Sequence, residues 1–399
     1  MAEVAPANLT VRLASALRQQ NRLGWLVPAW ANAVPTGLPA ARSAGAVWGR
    51  CNSTHGVLYD HHTAPTSSSP ADVLVFSNGA LPTAKQRQEA LTVAFSIEPP
   101  HHERFLMNRR VMGSFHMDMG YSRRSGIWSP YVTAPQVWEA AQRAFAPHRA
   151  LAAARRRTTI GVYVSNCRFA TRNQVIEALL ESSSRAGLRI LSYGWCQRNV
   201  RDSPASLPAA QHRRPVGWND SAAMQATCQS HRFMLAIENS LCEDYVTEKV
   251  LHAVQCGAVP IVASYHGVPA YDELFGPLPR LELSLSLMGA PTPRGLSLGL
   301  ALADAEALVQ RLRHLMEDEH AYAEFLRGWH SPREEQEGGA SATRAHLSGA
   351  SGGGRTIRPL SRGGVGGGPS LHCAWWQAVA EWRRGPEARA LPRSPCVAF

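Results

Sequence analysis

The chain is poor in several features that would settle its class directly. It contains only two lysines, so nearly all of its 41 basic residues are arginines, and a lysine in a polar loop stands out. Its eight cysteines are too few for a disulfide scaffold and form no CxxC pair, which argues against zinc. The best uncharged segment, 23–41, is interrupted by prolines, so no clear signal or transmembrane segment is predicted.

Several catalytic motifs are also missing. No GxGxxG follows a predicted strand and no P-loop occurs, which excludes the common glycine-rich phosphate cradles. There is no HExxH zinc motif and no GxSxG nucleophile elbow with its partners. The nearest match to an acidic metal motif, 317–319, falls inside a predicted helix rather than at a strand end. A bound diphosphate would therefore be neutralised by arginine and lysine.

The composition that remains is that of a basic globular protein. Hydrophobic residues make up 45% of the 399 residues, enough for two domains, and the net charge is +11. This charge suits a partner carrying phosphate, although an arginine-rich codon bias would give the same balance. We predict a weakly structured region at 1–70, domains at 71–152 and 153–335, and a Gly/Arg-rich low-complexity tail with a short Trp-rich helix at 336–399.

The central region alternates strands and helices, which favours an α/β fold with parallel sheets. The pattern predicts strands at 72–77, 92–97, 160–164, 188–192 and 233–237, and a further strand reaching Ser264. It predicts helices at 84–90, 136–151, 172–184 and 303–329, and another beginning near Lys249. Cys167 and Cys196 each follow one of two adjacent predicted strands, so a disulfide between them is one possible pairing.

Two cations occupy matching positions in this pattern. Arg172 and Lys249 each lie at the start of a helix that follows a strand and a polar loop. A cation there opposes the helix macrodipole, unless an anion binds both the side chain and the free backbone N–H groups. Solvated surface charge would explain either residue alone. The pair favours one anionic ligand, such as a diphosphate, at the carboxyl ends of the strands.

Further polar residues follow the strand at 233–237. Glu238 and Asn239 come directly after it, where a carboxylate and an amide can bind the hydroxyls of a ribose or a sugar. A polar rim continues with Asp244, Tyr245 and Glu248. Helix capping by Asp244 or Thr247 is an equally sound interpretation of this rim, and both roles can hold.

A carboxylate also ends the second predicted strand. Glu98 is followed by Pro99 and Pro100, which prevent a helix beyond it. Such a carboxylate in a cleft can act as a general base, although an isolated Glu–Pro pair is more often a simple turn. His101 and His102 come next and are alternative bases.

These motifs together resemble glycosyltransferase family 10, the α1,3/α1,4-fucosyltransferases. The similarity lies in 238–240, 244–249 and 259–260, in 164–167 with Arg172-Asn173, and in the Tyr, Arg, Ser, Ile and Pro-Tyr positions of 121–131. Ser192-Tyr193-Gly194 with Cys196 is similar to plant-type members that modify the N-glycan core. Glu98 falls on the family's Glu-Ser-Pro position, and the chain departs from the family at Pro99, Gly126, Ile237 and Ser264.

The resemblance implies an α/β fold of the GT-B type, with two Rossmann-like domains facing a cleft. It implies inverting transfer of L-fucose from GDP-fucose to an N-acetylglucosamine-containing glycan in α1,3 linkage, in protein N-glycosylation. No cofactor is expected to be required, and a divalent metal such as Mn²⁺ would stimulate the transfer without being essential for it. The family suggests membrane association in the Golgi and a glycoprotein or oligosaccharide acceptor, with no specific nucleic acid partner.

The resemblance also assigns roles to individual residues. Glu98 is the expected catalytic base. The expected donor-binding residues are Ser165, Asn166, Arg172, Tyr193, Glu238, Asn239, Asp244, Tyr245, Thr247, Glu248 and Lys249. The expected acceptor-side residues are His101, Tyr121 and Arg123, and no metal site is expected. Two alternatives stay open: a GT-B transferase with another sugar nucleotide, and a catalytically silent carbohydrate- or RNA-binding protein.

Overall fold

A computed structural model gives the fold of the protein. It describes residues 8–13, 46–50, 56–60, 71–77, 79–145, 157–200, 227–265, 267, 269–276, 278–287, 298–299, 302–327, 371–383 and 396–397. The described residues divide into two compact units, the first within 1–131, 242–245 and 358–396, and the second within 132–241, 246–357 and 397–399. The segment 242–245 thus belongs to the first unit, although the chain on both sides of it belongs to the second.

The strands are numbered in chain order. They are β1 Asn8–Leu13, β2 Ala46–Arg50, β3 Gly56–Asp60, β4 Val73–Phe76, β5 Leu91–Ser96, β6 Met117–Gly120, β7 Ile127–Trp128, β8 Arg157–Val162, β9 Arg189–Ser192, β10 His231–Leu235, β11 Leu241–Cys242, β12 Val259–Ser264, β13 Leu281–Ser284, β14 Ser286–Leu287, β15 Leu298–Gly299 and β16 Cys396–Val397.

The helices are numbered in the same way. They are α1 Ala84–Glu89, α2 Arg109–Met112, α3 Ala134–Ala144, α4 Ala170–Arg185, α5 Glu248–Gln255, α6 Tyr271–Phe275, α7 Leu302–Glu317, α8 Glu319–Arg327 and α9 Leu371–Arg383, with a 3₁₀ turn at Arg104–Met107.

The first unit is built on a seven-stranded sheet in the order β2-β3-β1-β4-β5-β6-β7. All of its pairs are parallel except the edge pair of β2 with β3. Every residue of β5 is buried, as expected for a strand covered on both faces. Because β5 and β6 are neighbours and parallel, the residues that follow them meet at one edge of the sheet.

The second unit is built on a five-stranded parallel sheet in the order β13-β12-β10-β8-β9. Its strands β10 and β12 are buried along their whole length. From β8 the chain runs to β9 on one side and later returns to β10 on the other. The connections therefore reverse direction between β8 and β10, which is where open α/β sheets place their ligands.

The predicted α/β class with parallel sheets is confirmed. The predicted helix 303–329 is instead two helices, α7 and α8, because the Asp318 carboxylate accepts hydrogen bonds from the backbone N–H groups of His320 (2.8 Å) and Ala321 (2.9 Å) and so caps the second helix. The strands β1, β2 and β3 lie in the region 1–70, where the sequence pattern did not predict strands.

Helix α3 shows how the chain divides between the units. It packs against α5, and the indole N–H of Trp138 donates a 2.5 Å hydrogen bond to the carbonyl of Phe275. It therefore groups with the second unit. The predicted domain boundaries, as functional divisions, stay predictions.

The Trp-rich segment near the C-terminus forms α9 and belongs to the first unit. Arg383 pairs with Asp72 at 3.1 Å, and the ring of Trp382 lies 5.5 Å from that of His116. None of the helices in the described ranges is long and apolar enough to cross a bilayer. The segment 23–41 and the glycine-rich stretch at 338–370 lie outside the described residues.

Candidate functional site

A pocket of about 610 Å³ lies in the second unit, beyond the carboxyl ends of β8 and β10. This is the point where the strand connections reverse, and the volume is typical of ligand sites. Its lining residues come from the loop after β8, from the loop after β10 and from the first turns of α4 and α5: Tyr163, Ser165, Asn166, Cys167, Arg168, Arg172, Asn239, Glu248 and Lys249. The two cations singled out from the sequence therefore line one pocket.

Lys249 is held by oxygen atoms in the first turn of α5. Its Nζ lies 2.8 Å from Glu238 Oε2, 2.6 Å from Thr247 Oγ1 and 3.8 Å from Glu248 Oε1. Burial acts to lower the pKa of Lys249, but the two carboxylates outweigh it and raise the pKa above its usual value. The ammonium group is therefore charged at neutral pH. Arg172 acts on the same pKa in the opposite direction, because a nearby cation disfavours the charged form of the lysine.

Glu238 serves as the support of this lysine. Its side chain is fully buried, and it accepts hydrogen bonds from the Thr247 N–H (2.7 Å) and hydroxyl (2.8 Å) as well as from Lys249. Glu238 is not among the residues that line the pocket. In this structure its carboxylate faces Thr247 and Lys249, whereas the sequence suggested contact with a sugar or ribose hydroxyl.

Arg172 is buried in the first turn of α4, with 3% of its surface exposed. Its guanidinium donates to Asn239 Oδ1, to the carbonyl of Asn166, and to Asn173 Oδ1 at 3.3 Å. These acceptors are neutral, so they fix the orientation of the guanidinium without cancelling its charge. Asn239 and Asn166 thereby join the loops after β10 and β8 around one cation.

The remaining predicted donor residues of this unit differ in placement. Ser165 lines the pocket, and its hydroxyl makes no hydrogen bond within the described part of the chain. Tyr193 lies behind the pocket wall, where its hydroxyl is 2.9 Å from His231 Nε2 and its ring stacks on that of Tyr163. Tyr163 lines the pocket, so Tyr193 supports the site rather than facing it.

The sequence analysis missed two lining residues, Tyr163 and Arg168, and it named Cys167 in the segment 164–167 without giving it a binding role. Cys167 is joined to Cys196 by a disulfide, the pairing considered above. A second disulfide joins Cys228 and Cys256 within the hydrophobic core of the same unit. Arg168 lies in the polar loop after β8, but arginine is so common in this chain that its type gave no signal.

A second cluster lies in the first unit, at the carboxyl ends of β5 and β6. Glu98 follows β5, and its side chain is 25% exposed. Its Oε2 accepts a hydrogen bond from the Tyr245 hydroxyl at 3.1 Å and lies 3.3 Å from His102 Nδ1. Two groups therefore hold one oxygen of this carboxylate, which fixes its orientation while a quarter of the side chain is open to solvent.

The segment 242–245 is anchored in this cluster. Asp244 adopts a left-handed backbone conformation (φ 65°), and its carboxylate accepts hydrogen bonds from the Arg123 backbone N–H (2.8 Å) and Nε (2.7 Å). The ring of Tyr245 packs edge-on against Tyr121 (5.0 Å) and Tyr131 (5.8 Å).

Two residues of the contiguous motif group with a different unit from its lysine. Asp244 and Tyr245 belong to the first unit, where Tyr245 contacts Glu98, and Lys249 lines the second-unit pocket. The chain makes a short excursion into the first unit at 242–245 and groups with the second unit again from 246, and the donor-binding role of Asp244 and Tyr245 stays a prediction. The expected acceptor-side residues Tyr121 and Arg123 both contact this excursion.

His101 lies next to Glu98 and His102, and its ring is 4.3 Å from that of His102. Burial, together with the neighbouring His102, lowers the pKa of His101 to about 4, while Glu98 acts weakly in the opposite direction. His101 is therefore neutral at physiological pH. Within the described ranges, no group of three or more His, Cys, Asp or Glu side chains is arranged to hold a metal ion.

Comparison with known proteins adds three findings. Residues 153–273 match the family profile "Glycosyltransferase family 10 (fucosyltransferase) C-term". A "Putative fucosyltransferase-like protein" of Arabidopsis thaliana is 31% identical over 171 residues, which are 43% of this chain and 26% of that protein. "GDP-fucose protein O-fucosyltransferase 3" of Canis lupus familiaris is 25% identical over 236 residues, 58% of this chain and 43% of that protein.

Among solved structures, "Crystal Structure of alpha1,3-Fucosyltransferase with GDP" aligns with a TM-score of 0.47 and 13% identity, over 96% of this chain and 92% of that one. The chain spans 26% and 43% of the lengths of the two curated relatives above, so less than half of either. The matched segment 153–273 contains every residue that lines the second-unit pocket.

Proposed function

We propose that this protein, whose residues 153–273 carry the C-terminal region of glycosyltransferase family 10, transfers L-fucose from GDP-fucose to an acceptor hydroxyl with inversion at the anomeric carbon. The acceptor we favour is an N-acetylglucosamine-containing glycan, fucosylated in α1,3 linkage during protein N-glycosylation. The observation that carries the proposal is the single pocket that Arg172 and Lys249 share at the strand switch point of the matched segment.

The pocket suits a leaving diphosphate. As the bond between C1 of fucose and the phosphate oxygen breaks, negative charge grows on the GDP. Arg172 and Lys249 are fixed before the reaction by Asn239 and Glu238, respectively, so little reorganisation is needed when that charge develops. Their attraction is stronger for the departing diphosphate than for the intact donor, and it therefore lowers the barrier.

Glu98 supplies the proton acceptor in this proposal. The acceptor hydroxyl oxygen attacks C1 of fucose, its proton passes to the Glu98 carboxylate, and the bonding electron pair leaves with GDP. Tyr245 and His102 orient Glu98 through the oxygen that they share. A general base of this kind contributes about 10²–10⁴-fold to the rate.

A protein hydroxyl is a second candidate acceptor. It is favoured by the similarity to the relative named "GDP-fucose protein O-fucosyltransferase 3", although only 43% of that protein is covered. The donor and the roles of the pocket residues would be the same. The difference would lie in the acceptor, a serine or threonine of a folded domain instead of a sugar.

The test is incubation of the purified protein with GDP-fucose, GDP-mannose and UDP-N-acetylglucosamine, each with three acceptors. The acceptors are truncated N-glycans, type 1 and type 2 N-acetyllactosamine, and a folded protein domain rich in serine and threonine. Mass spectrometry should show a fucose adduct with GDP-fucose alone, and NMR should give an α1,3 linkage. Products from another donor, or RNA binding without GDP binding, would contradict the proposal.

Metal and location complete the proposal. The cations that line the pocket are Arg168, Arg172 and Lys249. The donor should therefore bind when EDTA removes divalent metals, and Mn²⁺ should at most stimulate transfer.

We also propose a membrane-associated place of action in the Golgi, as in the family that the chain resembles. Immunofluorescence of the tagged full-length protein against Golgi markers would test it.

A further inference from the structure

We propose that Arg168 is a third donor-binding cation of this pocket, and that the Cys167–Cys196 disulfide holds it there to bind the diphosphate of a nucleotide. The inference rests on the proposed function and adds to it a residue that neither the sequence motifs nor the comparisons assign. It concerns binding of the phosphate groups, so it can be measured without fucose transfer.

The charge balance of the pocket calls for such a cation. Arg172 and Lys249 carry two positive charges, but Glu238 lies 2.8 Å and Glu248 3.8 Å from the lysine. The formal charges of these four residues cancel. A nucleoside diphosphate sugar carries two negative charges, which a neutral site would attract weakly. Arg168 also lines the pocket and makes its formal charge positive.

Arg168 is available for a ligand. Its side chain is exposed, and no carboxylate within the described ranges forms a salt bridge with it. Arg172, by comparison, is buried and held by Asn239 and Asn166. Arginine presents several N–H donors in a planar fork that matches two phosphate oxygens, and charge-assisted hydrogen bonds of this kind are strong.

The loop that carries Arg168 is held on both sides. Its backbone N–H donates to Asn166 Oδ1 at 3.1 Å, which forms a tight turn. The carbonyl of the preceding Cys167 accepts a hydrogen bond from Asn173 Nδ2 at 2.9 Å, at the start of α4. The disulfide then ties Cys167 to Cys196, beyond the end of β9.

The partner segment is itself fixed against Val164, in the chain just beyond β8. The Cys196 backbone N–H donates to the carbonyl of Val164 at 2.9 Å. Gly194 lies so close to the Val164 backbone that an added Cβ would collide with it, so only glycine fits there. The disulfide therefore connects the Arg168 loop to a rigid support. A loop ordered before binding loses less entropy when the ligand arrives, and this strengthens binding.

The decisive experiment is calorimetric titration of the full-length protein and of Arg168→Ala with GDP, guanosine and inorganic diphosphate. We expect about tenfold weaker binding of GDP, because the exposed arginine would lose a charge-assisted hydrogen bond to a phosphate oxygen. Inorganic diphosphate should weaken similarly. Guanosine, which has no phosphate, should bind equally well to both proteins.

Arg189→Ala is the matched control. Arg189 is also an exposed arginine of the second unit, but it does not line the pocket. The control should bind all three ligands as the unchanged protein does. Equal weakening in both variants would mean that Arg168 acts only through the overall charge of the protein, and the inference would be overturned.

The disulfide is tested by the double variant Cys167→Ser with Cys196→Ser. It should weaken GDP binding, and adding Arg168→Ala to it should cause less than the tenfold loss seen with the disulfide intact. The double variant Cys228→Ser with Cys256→Ser is the control, because that bond lies in the core. In the Cys228→Ser/Cys256→Ser background, Arg168→Ala should still weaken GDP binding about tenfold. A full effect of Arg168→Ala in both backgrounds would remove the disulfide from the proposal.

The outcomes also separate this inference from the proposed function. If the unchanged protein binds GDP and Arg168→Ala binds it equally well, Arg168 is not a donor residue, and the proposed function stands. If the unchanged protein binds neither GDP nor diphosphate, both proposals fail. Because Arg168 is exposed, its replacement should leave the fold intact, which the thermal unfolding midpoint would check.

Discussion

The pocket of the second unit and the Glu98 cluster of the first unit are built from different chemistry. The pocket is lined by arginine and lysine, whose charge is constant near neutral pH, and its two most buried cations are fixed by Glu238 and Asn239. The cluster contains a carboxylate, two histidines and tyrosine hydroxyls, which are groups that exchange protons.

In the proposed function, this difference divides the work of the transfer between the two regions. Stabilising a leaving diphosphate requires a fixed charge that does not titrate, which a buried lysine keeps when carboxylates raise its pKa. Accepting a proton requires a base of intermediate strength in contact with solvent or substrate. Each region has the residue types that its proposed task needs, and the four experiments below would break or sharpen this contrast.

The largest effect is expected for Lys249→Ala. It should abolish transfer and also lower the free energy of unfolding by about 3–5 kcal/mol, because the buried Glu238 carboxylate would lose its partner. The double variant Glu238→Gln with Lys249→Met should recover most of the stability and none of the transfer. Lys85→Ala, at an exposed position, should change neither. Chemical denaturation and GDP-fucose turnover would be measured together, and an active double variant would contradict the assigned role.

Glu98→Gln comes next and tests the other side of the contrast. The amide keeps an acceptor oxygen for Tyr245 but cannot take up a proton, so kcat should fall about 10³-fold while GDP affinity stays unchanged. Glu89→Gln, an exposed carboxylate of the same unit, should have no effect. Turnover close to that of the unchanged protein would move the base to His102 or His101.

Tyr245→Phe should have a smaller effect and decides between two placements of this residue. The ring would still pack against Tyr121, but Glu98 would lose one donated hydrogen bond, so kcat should fall about tenfold with little change in the KM for GDP-fucose. A rise in that KM with kcat unchanged would instead support the donor-binding role expected from the sequence.

The smallest effect concerns pH and the half-buried His101. Its pKa is lowered to about 4 in the folded protein, from 6.5 for an unperturbed histidine. The unfolded chain therefore binds a proton before the folded protein does, and stability should fall as the pH is lowered from about 6.5 to about 4. His101→Gln should flatten this part of the curve, measured by urea midpoints. An unchanged slope would show that other groups dominate.

Much of the fold could be predicted from the sequence, because strands buried on both faces have a strong local signature. The strands β5, β8, β9 and β10 were found from short apolar runs that end at polar residues. The strands β1 to β3 were missed because their neighbours in sequence contain many turn residues, and their pairing is decided by the sheet. Asp318 ended a helix through a side-chain cap that periodicity does not reveal.

The site could be predicted in part. The helix-start positions of Arg172 and Lys249 indicated one anion pocket, and both residues line it. The roles of their neighbours were harder to assign, because Glu238 and Asn239 are adjacent in sequence but face different surroundings. Arg168 was missed because arginine is the usual cation of this chain. Only its position in the pocket lining indicates that it can contact a ligand.

By itself, the sequence determined the α/β alternation, the family resemblance and the two cations, since each depends on local order and spacing along the chain. Only the tertiary structure decided that Glu238 supports Lys249, that Tyr245 lies beside Glu98, and that the loop carrying Arg168 is tied at its disulfide. The physical reason is that a side chain acts on whatever the fold brings within a few ångströms, and a four-residue turn of the backbone is enough to place neighbours in sequence in different units.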